Sequence, residues 1–495
     1  MPATSPSPRS SVVNQVRQGE VFLAGRWQRP ASGRNIRVYN PATTEVIAEV
    51  GEADASDVDA AVQAARKAFD SGIWPRLSPR ERERVLLRIA DLMERHADEL
   101  AELESLDVGK PITEARLADI PLSAEFFRYY AGWISKVHGE TIPVNGPFLN
   151  YTLREPMGVV AAITPWNFPL ALSSQKIAPA LAMGNVVIHK PAEQTPLTAL
   201  RFADLCTEAG LPEGTLSVLP GYGETAGAAL VKNPGVDKIA FTGETTTGKE
   251  IMRSSADTLK RLSLELGGKS PNIVFADADL EAAATGALGA VFFNQGEVCS
   301  AGSRLVVERS VYKKVVDLLA ERAKSLKVGN PQAPDTQMGA QVSLEHYEKI
   351  LRYIQLGRDD GASLVCGGGP YTAAGKGWFV QPTIFTGVNN DMRIARDEIF
   401  GPVVVVIPFE RPEEAVAIGN ATTYGLAAGI WTRDIGKAHS LARELRAGTV
   451  WVNTYNIFDV ASPFGGYKWS GFGRENGVHA LENYSQVKSV WVSLS

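Results

Sequence analysis

The sequence is short of cysteine, of basic charge and of long apolar runs, and each shortage excludes a class of protein. Only three cysteines occur in 495 residues, Cys206, Cys299 and Cys366. They are odd in number and far apart, which argues against a disulfide framework. No CxxC pair and no HExxH appears, so neither a structural zinc site nor a zinc-protease helix is expected, and no metal is assigned. Lysine and arginine number 50 against 55 aspartates and glutamates, a net charge of −5. No basic field is available to attract a phosphate backbone, so nucleic acid is not an expected partner. The longest apolar runs, such as "VVVVI" at Val403 to Ile407, are strand-sized and too short to cross a bilayer. The opening "MPATSPSPRSSVVNQVRQGE" lacks the apolar stretch of a signal peptide. A cytoplasmic protein with no membrane partner is the expectation.

What is present is ordinary globular composition, 44% hydrophobic and 21% charged. The length exceeds one compact core, so two or more domains are expected. Residues 1–18, rich in Ser and Pro, are expected to be mobile. Val58, Ala61, Val62, Ala65 and Phe69 recur at helical spacing, predicting a helix over 57–69 with a capping box formed by Ser56 and Asp59. Ser78, Pro79 and Glu81 predict the start of a second helix running to about Asp107. From Pro156 the texture changes: "GVVAAIT" is a continuous apolar run, and "NVVIHK", "TLSVLP" and "DKIAFTG" follow, with helices between them. Short apolar runs of this kind suit strands buried on both faces, and the alternation predicts a parallel, doubly wound α/β sheet. After about Leu262 a second series begins, with "PNIVF", "RLVVE", "VVVVIPF" and "TVWVN", long enough for a second α/β domain. "LNYTLR" and "VWVSL" alternate strictly instead. They read as exposed antiparallel strands, which another subunit is expected to cover.

Several residues could carry chemistry, each with a plainer reading beside it. Cys299, in "NQGEVCSAGSR", is either a small buried hydrophobe or a nucleophile. Gly243 and Gly248 in "FTGETTTGKE" lie between a strand and a helix, where backbone N–H groups can approach a phosphate; a tight turn needs no more than that. Lys190 and Glu193 in "HKPAEQTP" end a strand, where they could hold a ribose or form a solvated turn. Asn167 in "ITPWNFPL" is stiffened by prolines, either as an amide donor toward a pocket or as a helix cap. Glu265 in "LSLELGGKSPN" is a base candidate that could equally pair with Lys269. Thiol, amide, carboxylate and dinucleotide site together make one coherent reaction that needs no metal.

With these motifs in order, and with "EIFGPV" and "PFGGYKWSGFGRE" added, the chain from about Glu20 to Val492 resembles the aldehyde dehydrogenase superfamily, of the hydrolytic NAD(P)-dependent type. The resemblance implies a Rossmann-like cofactor domain over 19–134 and 151–262 and a second α/β catalytic domain over 263–480. It also implies a small β oligomerisation arm over 135–150 and 481–495, with a homodimer or homotetramer as the assembly. It implies Cys299 as nucleophile, Glu265 as general base, Asn167 as oxyanion donor, and Lys176 with Glu475 as the pair relaying the base's proton. Around the cofactor it implies Ile163, Thr164, Pro165, Trp166, Lys190, Glu193, Gly223, Gly227, Phe241, Thr242, Gly243, Glu244, Gly248, Leu266, Glu398 and Phe400. Phe168, Leu172, Val298, Phe458 and Phe464 are the implied mouth of an apolar substrate pocket, so the partner is a small aldehyde.

Two positions depart from the family's usual pattern: Glu244 stands where Ser is usual and Glu297 where Gln is usual. A carboxylate beside a pyrophosphate is repulsive, so Glu244 is expected to point away. A charged Glu297 would raise the thiol pKa, so it is expected to turn toward a buried partner. Glu193 should repel a 2′-phosphate and favour NAD over NADP. No arginine is placed to clamp a second carboxylate. Asp459 could greet a cationic aldehyde, and Gln175 is polar where an aromatic is common. A CoA-acylating enzyme, a thiol esterase and a non-enzymatic binding protein remain as alternatives.

Overall fold

The computed structural model describes residues 11–495. Of the segment expected to be mobile, residues 1–10 lie outside the described residues. Residues 12–16 are not loose: Val12, Val13 and Val16 are buried in the largest core. Three apolar side chains within five residues gain enough from burial, about 1.5–3 kcal/mol each, to hold this short stretch down.

Helix α1 spans Ala55–Ser71, and its cap differs from the expected one. Asp54 accepts from the N–H groups of Ser56 and Asp57, and Asp57 returns a bond from the Asp54 N–H. This box is preferred over Ser56–Asp59 because the Asp57 carboxylate is buried and also accepts from Ala31 N–H at 2.9 Å. Helix α2, Pro79–Arg95, starts at Ser78 as predicted. It stops at His96, and a separate helix α3, Ala97–Val108, follows. The reason is a change of face: α2 buries one apolar stripe, whereas α3 is buried nearly all round, Glu104 and Asp107 included. Helix α4 spans Ile120–Trp133.

The strands β1 (Val159–Ile163), β2 (Val186–Lys190), β3 (Leu216–Val218), β4 (Lys238–Thr242) and β5 (Arg261–Glu265) form a parallel sheet in the order β5-β4-β1-β2-β3. Two N-terminal strands, Val21–Leu23 and Arg26–Gln28, and the short strand Gly471–Phe472 extend it at its edges. Every residue of β1, β2 and β4 is buried, as suits strands covered on both faces, His189, Lys190 and Lys238 at the strand ends included. Helices α5 (Pro169–Ala182), α6 (Leu197–Glu208) and α7 (Thr245–Ser255) follow β1, β2 and β4. Strand order reverses between β1 and β4, and a sheet of this type binds ligands outside the carboxyl ends of its strands at such a point.

A second sheet carries β6 (Pro271–Val274), β7 (Arg304–Glu308), β8 (Thr383–Thr386), β9 (Val403–Phe409), β10 (Ala427–Trp431) and β11 (Thr449–Val452), in the order β8-β9-β7-β6-β10-β11. These strands are parallel, and Ser363–Cys366 pairs antiparallel at the β8 edge. Helix α8, Leu280–Phe292, leads toward β7, and helix α9, Leu344–Asp359, lies between β7 and β8. The chain passes from one sheet to the other through 266–270, directly after Glu265.

The alternating stretches form a three-stranded sheet in which Phe148–Pro156 pairs antiparallel with Ser485–Ser493 and with Thr141–Ile142. This strand continues past the boundary expected at 150, because its pairing with the C-terminal strand runs unbroken to Pro156. The boundary expected at 262 also falls inside β5, which belongs wholly to the first sheet.

Candidate active site

The Cys299 loop is built by backbone that side chains normally avoid. Asn294, Gln295 and Gly296 all have left-handed φ values, 47°, 44° and 80°. Two of them are not glycine, so the turn is held by its surroundings. Asn294 Nδ2 donates to the carbonyls of Asn167 and Glu297, and Glu114 accepts from the Asn294 N–H. A Cβ on Gly296 would collide with the backbone of Gly401. The crossing segment is equally tight: a Cβ on Gly267 would strike the Glu398 carboxylate, and one on Gly268 the carbonyl of Cys299. The Gly-Gly pair after Glu265 thus lets the first sheet's crevice close against the thiol loop.

Cys299 lies partly exposed at the junction of two cavities and lines both. The first, about 300 Å³, contains Asn167, Thr242, Gly243, Glu244, Leu266, Glu398 and Phe400. It shares Pro165, Trp166, Gln194 and the 242–244 turn with a larger cleft of about 690 Å³. That cleft holds Ile163, Thr164, Lys190, Glu193, Gly223, Gly227 and Phe241. On the other side of the thiol is an apolar cavity of about 350 Å³ with Phe168, Leu172, Val298, Phe458, Phe464 and Glu265 in its wall.

Every expected cofactor or pocket residue therefore borders one of these spaces except Gly248. Gly248 faces Leu266, where a Cβ would collide with the side chain, so it sets how closely α7 approaches β5. Lys176 and Glu475 sit behind the site, fully buried and paired at 3.0 Å.

Asn167 is buried and caps no helix; its Nδ2 donates to the Glu297 carbonyl at 2.8 Å. One N–H of that amide is spent, so the other is oriented and fixed in the wall beside Cys299. Glu265 has an Oε1 with no protein partner and does not pair with Lys269, which faces Arg304, Glu398 and Asp397 instead. Burial pushes the Glu265 carboxyl up to about 8, with Lys176 opposing and Glu475 and Glu398 assisting. Glu398 accepts from Gly268 N–H at 2.9 Å and is raised by burial to about 7. Burial, then the carboxylates of Glu265 and Glu398, push the Cys299 thiol well above its ordinary range.

The two departures resolve differently. Glu297 is fully buried; its Oε1 accepts from Val342 N–H and its Oε2 from Gln295 Nε2, both at 3.0 Å. Burial raises its pKa well above the usual carboxylate range, and it is not among the groups that raise the thiol. Glu244 does not leave the site as expected. It is exposed at the seam of the two cofactor-side spaces, and its charge reaches Glu398. With no apolar surface to cover it, it stays in solvent at the rim. Asp459 is not in the apolar cavity; it folds back to accept from Ala461 N–H at 2.8 Å.

Sequence reasoning missed Leu122 and Phe126 on α4, along with Phe293 and Ile457, all in the apolar wall. It also missed His346, Lys349 and Arg352 on α9, which border the cofactor side. The i, i+4 pair on α4 is indistinguishable from a core stripe in one dimension. The i, i+3, i+6 spacing on α9 is a detectable signal, although a solvated basic face looks the same.

The cleft fits a dinucleotide. It lies at the strand-order reversal, runs from a Lys–Glu pair to the thiol, and passes the N-terminus of α7. A Cβ on Gly243 there would collide with the Phe241 ring. Among the described residues no cluster of three or more His, Cys, Asp or Glu could hold a metal, and no helix is long and apolar enough to cross a membrane.

A profile of the aldehyde dehydrogenase family matches residues 27–490. Human retinal dehydrogenase 2 is 50% identical over 99% of the chain and 94% of its own length. An aldehyde dehydrogenase from Bacillus cereus, solved in complex with NAD+, superposes with a TM-score of 0.96 at 49% identity, covering 99% of both chains. An indole-3-acetaldehyde dehydrogenase complexed with NAD+ superposes at 0.95 with 47% identity, covering 99% of this chain and 100% of its own.

Proposed function

The chain belongs to the aldehyde dehydrogenase family, NAD-dependent oxidoreductases of aldehydes, and we propose that it converts an uncharged, apolar aldehyde to a carboxylate through a covalent cycle on Cys299. The observation that carries this reading is the position of the thiol between an apolar cavity and a dinucleotide-shaped cleft.

In this cycle the Cys299 sulfur attacks the aldehyde carbon held among Phe168, Leu172 and Phe464. Asn167 Nδ2–H and the Cys299 N–H hold the oxyanion that forms. Lys190, Glu193 and Glu398 would hold NAD, which when bound would accept the hydride and whose cationic ring would favour the thiolate. Glu265 then takes a proton from water, which hydrolyses the thioester on Cys299. Lys176 and Glu475 stand behind Glu265 to take that proton onward. The first sheet with its helices would hold the cofactor, and both sides wall the aldehyde: Leu122, Phe126, Phe168 and Leu172 from the first, and the thiol with Val298, Phe458 and Phe464 from the second.

NADH formation across aliphatic, aromatic, amino and carboxylated aldehydes tests the reading. Apolar aldehydes should give NADH and free acid in equal amounts, with or without CoA. An acyl-CoA product would instead establish the acylating alternative, and acid release from esters with no NADH from any aldehyde would establish the esterase. No lysine or arginine lines the apolar cavity, so carboxylated aldehydes should be the poorest substrates.

NAD is the preferred cofactor in this reading, because Glu193 borders the cleft 3.4 Å from Lys190 Nζ and would face a 2′-phosphate. Glu193→Ser is expected to raise kcat/KM for NADP roughly tenfold, about 1.4 kcal/mol. A lower KM for NADP than for NAD in the unaltered enzyme would overturn the assignment.

A homodimer or homotetramer is also proposed. The paired strands Phe148–Pro156 and Ser485–Ser493 expose Phe148 and Trp491 on one face and Leu149, Leu153 and Val492 on the other, apolar surface and a free edge that a second copy would cover. Light scattering should return a multiple of the 53.3 kDa chain mass; the chain mass itself would refute it.

A further inference from the structure

Behind Glu265 the polar side chains continue down the sheet instead of ending at Lys176 and Glu475. Alternate residues of a strand share a face, so Glu265, Ser263 and Arg261 of β5 line up, beside Thr242, Ala240 and Lys238 of β4 in register. This face looks onto α5, which carries Lys176, and onto the segment from Glu475 to Tyr484. Glu265, Ser263 and Lys238 are buried, whereas Arg261 at the foot of the column is exposed. Lys238 Nζ donates to Ser263 Oγ at 3.0 Å and lies 5.0 Å from the centre of the Tyr484 ring. Four buried oxygens along the column, Glu265 Oε1, Thr242 Oγ1, Glu475 Oε2 and Tyr484 Oη, have no protein partner. Buried oxygens in that condition are the partners internal water takes where the site has room for it.

We propose that Lys238 is the next proton holder after Glu475, and that the proton Glu265 takes from the hydrolytic water leaves along the β4–β5 face to solvent beside Arg261. The inference rests on Glu265 acting as the base. In the step proposed, Glu265 regains its carboxylate by passing the proton to the Lys176–Glu475 pair. The neutral Lys238 amine takes a proton from that pair, directly or through water, and the ammonium so formed gives one to bulk water. No electrons move. The charged and titratable groups around Lys238 fit the task. Glu475 favours its ammonium, while Lys176, Arg261 and above all burial oppose it, which brings the amine down to about 7. Tyr484 and Tyr130 complete the wall near Glu475 and are both raised by burial and by its charge, so they stay neutral. Asp237, next in the chain, is turned away toward Arg66 and the Val159 N–H. Among the described residues Lys238 has no carboxylate within bonding distance; its side-chain partner is the Ser263 hydroxyl.

Lys238→Arg, Lys238→Met and Ser263→Ala test this. Arginine keeps the charge and stays protonated, methionine keeps the length, and Ser263→Ala leaves the lysine in place but unbonded. Stopped-flow NADH traces with a good aldehyde separate hydride transfer from hydrolysis. In both lysine variants the NADH burst should keep its amplitude and rate. Steady turnover at pH 7 should fall about tenfold, its pH profile should shift, and added imidazole buffer should restore it in a concentration-dependent way. Ser263→Ala should show the same pattern more weakly and decides the matter if the lysine variants do not fold. Variants whose turnover, pH profile and buffer dependence match the unaltered enzyme overturn the inference while leaving the Glu265 reading intact. A Glu265→Gln enzyme that hydrolyses its thioester at the normal rate overturns both.

Discussion

Replacing Cys299 with alanine is expected to lower aldehyde-dependent NADH formation by on the order of 10⁴-fold or more, while NAD still binds. The magnitude follows from the site's composition. No second thiol, hydroxyl or amine lines the apolar cavity, and its carboxylates, Glu265 and Asp119, are far weaker nucleophiles toward an aldehyde carbon than a thiolate. The cofactor cleft is built from Lys190, Glu193, the 242–244 turn and Glu398, none of which depends on the sulfur for its place. Fluorescence titration with NAD should therefore be nearly unchanged. Alanine-variant turnover above about one per cent of normal would remove Cys299 from its role.

Replacing Glu265 with glutamine is expected to split the reaction in two. Hydride transfer uses the thiol and the oxyanion donors, so one NADH per active site should still appear. Hydrolysis needs a base, and its rate should fall by on the order of 10²- to 10⁴-fold. The trace should thus show a burst followed by near-arrest, and the acyl group should be found on Cys299 by intact mass. The pH dependence carries the same assignment. Burial raises the folded-state carboxyl to about 8, so at neutral pH most of it is protonated and idle as a base. Hydrolysis in the unaltered enzyme should rise with pH, reach half its limit near 8 and level above that. This limb should vanish in the glutamine variant. Loss of the burst together with steady turnover would instead place Glu265 in the first half-reaction.

The sequence and the structure divide unevenly along the chain. Strands β1, β2 and β4 were legible because each centres on a short apolar run bounded by Gly, Pro or Asn, as a strand buried on both faces should. The start of α2 was legible because Ser, Pro and Glu satisfy the helix N-terminus through neighbours three residues away. The split of α2 from α3 was not, since helical spacing persists through His96 and only the change of buried face breaks it. The first capping box was misplaced for a related reason: Asp57 wins by bonding Ala31, 26 residues earlier.

By itself, the sequence determined the α/β class and the ordered set of motifs that implied a thiol, an amide, a carboxylate and a nucleotide turn. Those are local properties, written in residue type and short spacing. Tertiary structure decided which of these meet, because Cys299, Glu265 and Asn167 lie on three separate segments that only the two sheets bring together. It decided that Glu297, so close to Cys299 in the chain, bonds to Val342 and Gln295 rather than confronting the sulfur. It also set Lys238 below Glu265 on one face, since the pairing of β4 with β5, two segments separated in the chain by a helix, fixes which residues share a wall.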